Sequence, residues 1–218
     1  MSPSLHYRSF QHLCNDVLTS YVFPQWAYCP IQLSYPMQRR RIHTGKLLDS
    51  FKREPPRAVQ NAFEEGVKQW EGSPSCHRLR GLIDAVVPPR VTLSNIVAFA
   101  CCSMSVKSRQ ERSVSQHALV LTMLDVLQSR RQRDEGHQLE IRCFAQDPCY
   151  NDADEEILEG VGVTVVQDPR GFLEVDDQSV VISFSPDVPI RQIIADIARP
   201  AILIWNRVTG EAKNAEKW

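Results

Sequence analysis

Two serines and a run of acids are the residues of this chain best placed to do chemistry. Ser103 and Ser105 stand in NIVAFACCSMSVKS, residues 95–108, just past the apolar run Ile96–Cys102. That run is uncharged, β-branched and aromatic, as in a strand buried on both faces. Small polar residues between such a strand and a following helix mark where α/β proteins carry out chemistry. The acids stand in NDADEEILEG, residues 151–160. Helical spacing puts Asp152, Glu155 and Glu156 on one face. Asp154 falls on the stripe of Ile157, Leu158 and Val161, the side that should be buried. Asp152-x-x-Glu155 is close to a capping box, and acids favour a helix N-terminus. Capping does not explain Asp154, so an inward acid near a strand end becomes a candidate for gripping a cation or an amine.

A third cluster is basic: QRRRIHTGKLLDSFKR, with Arg39, Arg40, Arg41, His43, Lys46, Lys52 and Arg53. The whole chain carries a formal net charge of only −1, so a polyanion partner would need a local patch of this kind. The alternative is a solvated charged segment. Arg130, Arg131 and Arg133 sit where a helix C-terminus favours cations anyway.

Elements that position these residues follow from the hydrophobic pattern. Pro24, Pro30, Pro36, Pro55 and Pro56 interrupt any long helix in residues 1–56, which read as an irregular basic segment. Residues 57–90 read as a helical part, with helices over 57–70 and 78–87. From 91 to 209 strands alternate with helices: strand 96–102, helix 113–130, strand 139–145, helix 152–159, strand 163–166, strand 180–184, helix 190–198 and strand 201–205. A polar tail, 210–218, closes the chain. Alternation of this kind predicts right-handed crossovers and a mostly parallel, doubly wound, Rossmann-like sheet with a helical and irregular N-terminal extension.

Ligands of such sheets bind beyond the carboxyl ends of the strands. Reading those ends in order gives Ser103 and Ser105, then Gln146, Asp147 and Tyr150, then Ser183, Ser185 and Asp187, then Asn206 and Arg207. The chain contains neither GxGxxG nor GxxxxGK[ST]. NAD, FAD and ATP are therefore disfavoured, and no cofactor is expected. A rim of hydroxyls, amides and carboxylates suits a neutral or cationic small group better than a phosphate.

Composition sets the outer bounds. Apolar residues make up 43% and charged residues 23% of the 218, an ordinary globular balance. No apolar stretch approaches a membrane span, and residues 1–10 lack the apolar core of a secretory signal. A cytoplasmic protein with no membrane partner is the expectation. Seven cysteines include no CxxC pair, and Cys76–His77 is the only Cys/His doublet. No metal site is expected from that spacing, and the cysteines read as small buried hydrophobes.

Residues 91–209 resemble the sensitivity-to-red-light-reduced (SRR1-like) domain family. The matching points are the first strand with its serine loop, Gln116 early in the next helix, FAQDPCYNDADEEIL, VVISFSP and ILIWN. The family's usual first loop contains glycine and its fourth strand usually ends in Pro-His, whereas this chain has CCSMS and SFSPD. Those departures, with the basic N-terminal segment, look more like the fungal branch of arginine-containing cyclodipeptide synthases. The resemblance implies an aminoacyltransferase of secondary metabolism that takes two aminoacyl-tRNAs, one of them arginyl-tRNA, and releases a cyclic dipeptide (a diketopiperazine). An aminoacyl ester is already activated, consistent with a chain that has no nucleotide loop.

The same resemblance implies roles. Arg39, Arg40, Arg41, Lys46, Lys52 and Arg53 would hold tRNA phosphates. The family's acidic signature is two adjacent acids and a Glu three positions on. Here Asn151 stands in the first place, leaving the work open among Asp152, Asp154, Glu155 and Glu156. By analogy with bacterial cyclodipeptide synthases, Ser103, or else Ser105, would carry the first aminoacyl group. Otherwise one ester-bound amine would attack the other carbonyl directly, with acids orienting the amines and Tyr150 bonding an amine or a tetrahedral oxygen. Gln146, Asp147, Ser183, Ser185 and Asn206 would line the substrate site. The wider family suggests a second reading, a non-catalytic regulatory or haem-binding module with His117, His137 or a cysteine as axial ligand. An enzyme using a free nucleotide cofactor is the weakest reading.

Overall fold

The computed structural model describes residues 4–7, 31–34, 52–88, 91–135 and 140–207. Two short strands, β1 (Ser4–Tyr7) and β2 (Ile31–Ser34), pair antiparallel within the stretch expected to be irregular. Helices α1 (Pro56–Glu71) and α2 (Pro74–Val86) each open on a proline, whose fixed φ suits a first helical turn. The Ser73 side chain caps α2 by accepting from the Cys76 N–H at 3.1 Å.

The remaining elements alternate. They are β3 (Asn95–Phe99), α3 (Gln110–Glu135), β4 (Arg142–Gln146), α4 (Asp152–Gly160), β5 (Thr164–Val165), α5 (Arg170–Leu173), β6 (Ser179–Ser183), α6 (Ile190–Ile197) and β7 (Ile202–Trp205). The five strands β3 to β7 form one parallel sheet in the order β5-β4-β3-β6-β7. The α/β, parallel-sheet expectation holds. Strand β3 lies at the centre and is buried along its whole length, which is why its sequence carries no charge.

Alternate side chains of β3 serve opposite faces. Ile96 and Ala98 join a core with residues of α1, α2, α3 and α4, while Val97 and Phe99 pack with Phe172 of α5 and with Ile190 and Ile194 of α6. The sheet is therefore wound on both sides, and the chain changes direction between β3 and β6. Their carboxyl ends form the switch point where such sheets bind ligands.

Several boundaries differ from the sequence expectation. Strand β3 ends at Phe99, because Ala100 (φ 58°) and Cys102 (φ 62°) turn left-handed. Cys101 and Cys102 thus lie in the loop and not in the strand. A 3₁₀ turn at Lys107–Arg109 leads into α3, which starts three residues before the expected Ser113. The four-residue α5 was not expected at all. Arg130 ties α3 to the end of α2 by donating to the Val87 carbonyl at 2.7 Å and the Ile83 carbonyl at 3.3 Å.

Helices α1 and α3 press together at a glycine. A Cβ built on Gly66 would stand 2.3 Å from Val114 Cγ1, too close for either stiff side chain to accommodate. Gly66→Val should therefore cost about 2 kcal/mol, read as a lowered urea midpoint. An unchanged midpoint would mean that the two helices are not in tight contact there.

Candidate functional site

The carboxyl ends of β3 and β4 meet around a buried acid. Asp154 is fully enclosed, and its carboxylate accepts the Ser103 hydroxyl at 2.5 Å, the Met104 N–H at 2.9 Å and the Asn151 N–H at 3.1 Å. In return, the Asn151 side chain accepts the Asp154 N–H at 3.1 Å. This is a capping box, with Asn151 as N-cap and Asp154 as the third helical residue. The expected box, Asp152 to Glu155, is displaced by one residue, and Asp154 has the capping role it was thought to lack. Burial pushes the Asp154 carboxyl above its ordinary range, opposed by the bonds from Ser103, Asn151 and Met104 and by the charge of Arg53.

Ser103 and Ser105 are both fully buried, with their hydroxyls 2.7 Å apart. Ser105 also accepts from Asn151 Nδ2 at 2.9 Å. The Ser103 proton points to Asp154, so the Ser105 proton is free to point to Ser103. The result is a relay, Ser105 to Ser103 to Asp154. Arg53 completes it: its Nη1 lies 3.1 Å from Ser103 Oγ, 3.0 Å from Ser105 Oγ and 3.1 Å from the Cys149 carbonyl. Arg53 was expected among tRNA-contacting cations, and its guanidinium instead faces inward.

Beside this relay stands an imidazole–phenol pair. His117 donates from Nδ1 to the Ser113 carbonyl at 2.7 Å, which leaves Nε2 to accept the Tyr150 hydroxyl at 2.8 Å. Burial lowers the His117 pKa to about 4, so the ring is neutral at physiological pH. Burial likewise raises the Tyr150 phenol well above its usual value. Tyr150 is half-buried, and its hydroxyl is neutral and oriented by the bond to His117. With both ring nitrogens engaged, His117 is not free to serve as an axial haem ligand.

Asp147 organises the next loop by accepting the Cys102 N–H at 2.7 Å and the Cys149 N–H at 2.8 Å. Burial and the Asp147 charge push the Cys149 thiol up to about 12. Gln146 is turned away, with its amide bonded to Asp168 and to the Gly171 N–H.

At the switch point Ser185 is left-handed (φ 51°) and donates its N–H to Asn206 Oδ1 at 2.6 Å. Ser183 is buried, and its hydroxyl has no hydrogen-bond partner among the described residues. Two exposed cations that the sequence reading passed over also reach these loops. Arg112 Nη2 donates to the Phe184 carbonyl at 3.1 Å, and Arg109 Nη1 lies 3.7 Å from Cys102 Sγ. With its amide oriented to suit its neighbours, Gln116 donates to the Cys101 carbonyl and accepts from Arg112 Nε. Arginines in and before a first helical turn oppose the helix dipole, and that mismatch was the available sequence signal.

The structure thus joins Ser103, Ser105, Asp154, Asn151 and Arg53 in one cluster, with Tyr150 and Asp147 beside it. Asp152 and Glu156 are exposed and Glu155 half-buried, outside the hydrogen bonds of this cluster. Ser183, Ser185 and Asn206 lie at the ends of β6 and β7. Lys52 is exposed, whereas Arg39, Arg40, Arg41, Lys46 and His137 lie outside the described residues. Among the described residues, no three His, Cys, Asp or Glu side chains gather as a metal-binding group, and no helix is long and apolar enough to cross a membrane.

A doubly wound parallel sheet with a polar, glycine-free site at its strand ends defines a Rossmann-like α/β protein. The SRR1 domain matches residues 79–217, and the chain belongs to that family. No curated protein and no solved structure matches it. The match includes every acceptor in the buried cluster but not Arg53.

Two outcomes test this geometry. Asp154→Asn keeps the size, removes the charge facing Arg53 and leaves at least one donor without its acceptor. It should cost roughly 2–4 kcal/mol. Arg53→Ala combined with it should cost less than the sum of the single changes, because the two share one interaction. Strict additivity in urea melts would show that they do not communicate.

For His117 the folded pKa lies below the unfolded one. Its contribution to stability is therefore complete above pH 6.5 and is lost as pH falls through about 4. That loss amounts to about 3 kcal/mol, and His117→Gln should flatten this acid limb of the stability profile by a similar amount. Parallel profiles for the two proteins would contradict a buried neutral imidazole.

Proposed function

We infer that this SRR1-domain protein is a tRNA-dependent cyclodipeptide synthase that joins arginine from arginyl-tRNA to a second aminoacyl group. The observation that carries the reading is the Tyr150 phenol, held by a neutral imidazole at the carboxyl ends of the central strands beside a buried carboxylate. The sequence resemblance supports it as well, and so does the lack of a glycine-rich phosphate loop.

The chemistry needs few groups. The amine of one aminoacyl ester attacks the carbonyl of the other, and the ribose oxygen of that ester leaves with a proton. The new dipeptidyl amine then attacks the remaining ester, closes the six-membered ring and frees the second tRNA. Both leaving groups are already activated, so no cofactor is required. The Tyr150 oxygen, its own proton held by His117, would accept a hydrogen bond from the attacking amine and orient it. Ser103 and Ser105 are enclosed in this conformation, so direct attack between the two esters is the favoured route over an acyl-serine. The exposed Lys52, together with the basic residues that precede it in sequence, would meet the tRNA backbone.

A second reading is a regulatory module without chemistry. It is favoured by the full burial of Ser103, Ser105 and Asp154, which fits a purely structural cluster. Incubating the purified chain with charged arginyl-tRNA and a mixture of other aminoacyl-tRNAs separates the two. Mass spectrometry should find an arginine-containing cyclic dipeptide, and Tyr150→Phe should reduce its yield at least about tenfold. No cyclic product from any pairing would leave the regulatory reading.

A further inference from the structure

The cluster around Asp154 already holds a guanidinium, and that guanidinium comes from outside the domain. Ser103, Ser105, the Cys149 carbonyl, Asn151 and Asp154 all lie within residues 79–217, where the family match runs. Arg53 lies before α1. It reaches the site on a short strap held by an isolated antiparallel bridge between Arg53 and Val106 and by the Glu54 N–H donating to the Ser105 carbonyl at 2.8 Å. We propose that this cluster is a binding site for the guanidinium of an arginyl ligand, and that Arg53 is a built-in occupant which the ligand displaces.

The chemistry of the lining supports this. Around Arg53 Nη1 stand two hydroxyl oxygens and one carbonyl oxygen, at 3.0–3.1 Å, contributed by the loops after both β3 and β4. The hydroxyls are held in place from behind, Ser105 by the Asn151 amide at 2.9 Å and Ser103 by the Asp154 carboxylate at 2.5 Å. A buried carboxylate supplies the countercharge. The group these acceptors hold in the folded chain is a guanidinium, with Asp154 behind Ser103 as its countercharge, so the pocket's shape and charge are already matched to that group. The location agrees, since both loops leave the carboxyl ends of parallel strands, where such sheets bind ligands.

Displacement is physically reasonable. The backbone of the strap meets the domain through the isolated bridge and the Glu54 bond, with the exposed Lys107 ammonium 3.9 Å from the Glu54 carboxylate, and an incoming guanidinium would remake the bonds that the Arg53 side chain gives up. A tethered competitor acts at an effective concentration in the millimolar range, so removing it should tighten ligand binding by at least about tenfold. Arg53 would then guard the buried Asp154 charge when no ligand is present, and yield to the same chemical group when one arrives.

This assignment deepens the proposed reaction by placing its arginyl side chain, and it rests on that reading for its biological ligand. Its test is independent of catalysis. L-arginine amide, which mimics the ester-linked residue without a carboxylate, is titrated into the full chain and into Arg53→Ala, with L-lysine amide and L-citrulline amide as controls. Calorimetry should show arginine amide binding the variant at least tenfold more tightly than the wild type, with both controls weaker. In the wild-type chain, arginine amide should also accelerate exchange of the Glu54 amide, while lysine amide leaves it unchanged. This second measurement stands even if Arg53→Ala fails to fold.

Equal affinity for the two proteins, equal binding of lysine amide, or unaltered Glu54 exchange would overturn the assignment. Absence of cyclic dipeptide in the tRNA assay would instead overturn the reaction and leave the binding result untouched.

Discussion

A carboxylate without solvent contact is the constraint around which this end of the molecule is arranged. Taking a charged group out of water costs several kcal/mol unless donors and a countercharge surround it. Asp154 meets that demand with donors from two separate stretches: the β3 loop and the start of α4. Arg53, drawn in from before α1, supplies the opposite charge through Ser103. Three distant parts of the chain therefore hold one another in register. The same requirement explains why Ser103 and Ser105 are enclosed: their hydroxyls complete the polar shell, and exposing them would expose the acid.

The site has two sides of different character. Around Asp154 the polar groups are buried, paired and connected into a relay. Around the ends of β6 and β7, Ser185, Asn206, Arg109 and Arg112 face solvent. Tyr150 and Cys102 lie partly exposed between them, anchored respectively by His117 and by Asp147. A ligand entering the crevice would meet solvent-facing cations first and neutral groups held by hydrogen bonds next. The order matters electrostatically, because long-range attraction acts in the solvated outer region and directional bonding in the drier inner one.

The sheet was legible because its strands are short apolar runs separated by helical periods, and each was found within a few residues. The end of β3 was misjudged for a specific reason. Cys101 and Cys102 are apolar and strand-compatible in type, and nothing in residue type announces a positive φ. The burial of Asp154 was legible from its place on the stripe of Ile157 and Leu158. Its partners were not, since the acids drew attention to Asp152 and away from Asn151, the better N-cap by geometry. Arg53 was the hardest to read. It closes a run of charges that reads as surface, and the serines it meets are 50 and 52 residues away. Pairings at that separation are decided by topology, and local pattern carries no trace of them.

Ala100, Cys102 and Ser185 all adopt left-handed backbone without being glycine. Each would relax by about 1 kcal/mol as glycine in the folded chain, so strain is built into both walls of the crevice. A glycine loop can sample many shapes and mould itself to a phosphate. A strained loop with side chains has one shape that its surroundings enforce. The crevice therefore behaves as a gauge of fixed width, and selectivity there comes from excluding what does not fit. Adaptation to a new ligand would begin with a loss of stiffness at one of these three positions, before any contact residue changed.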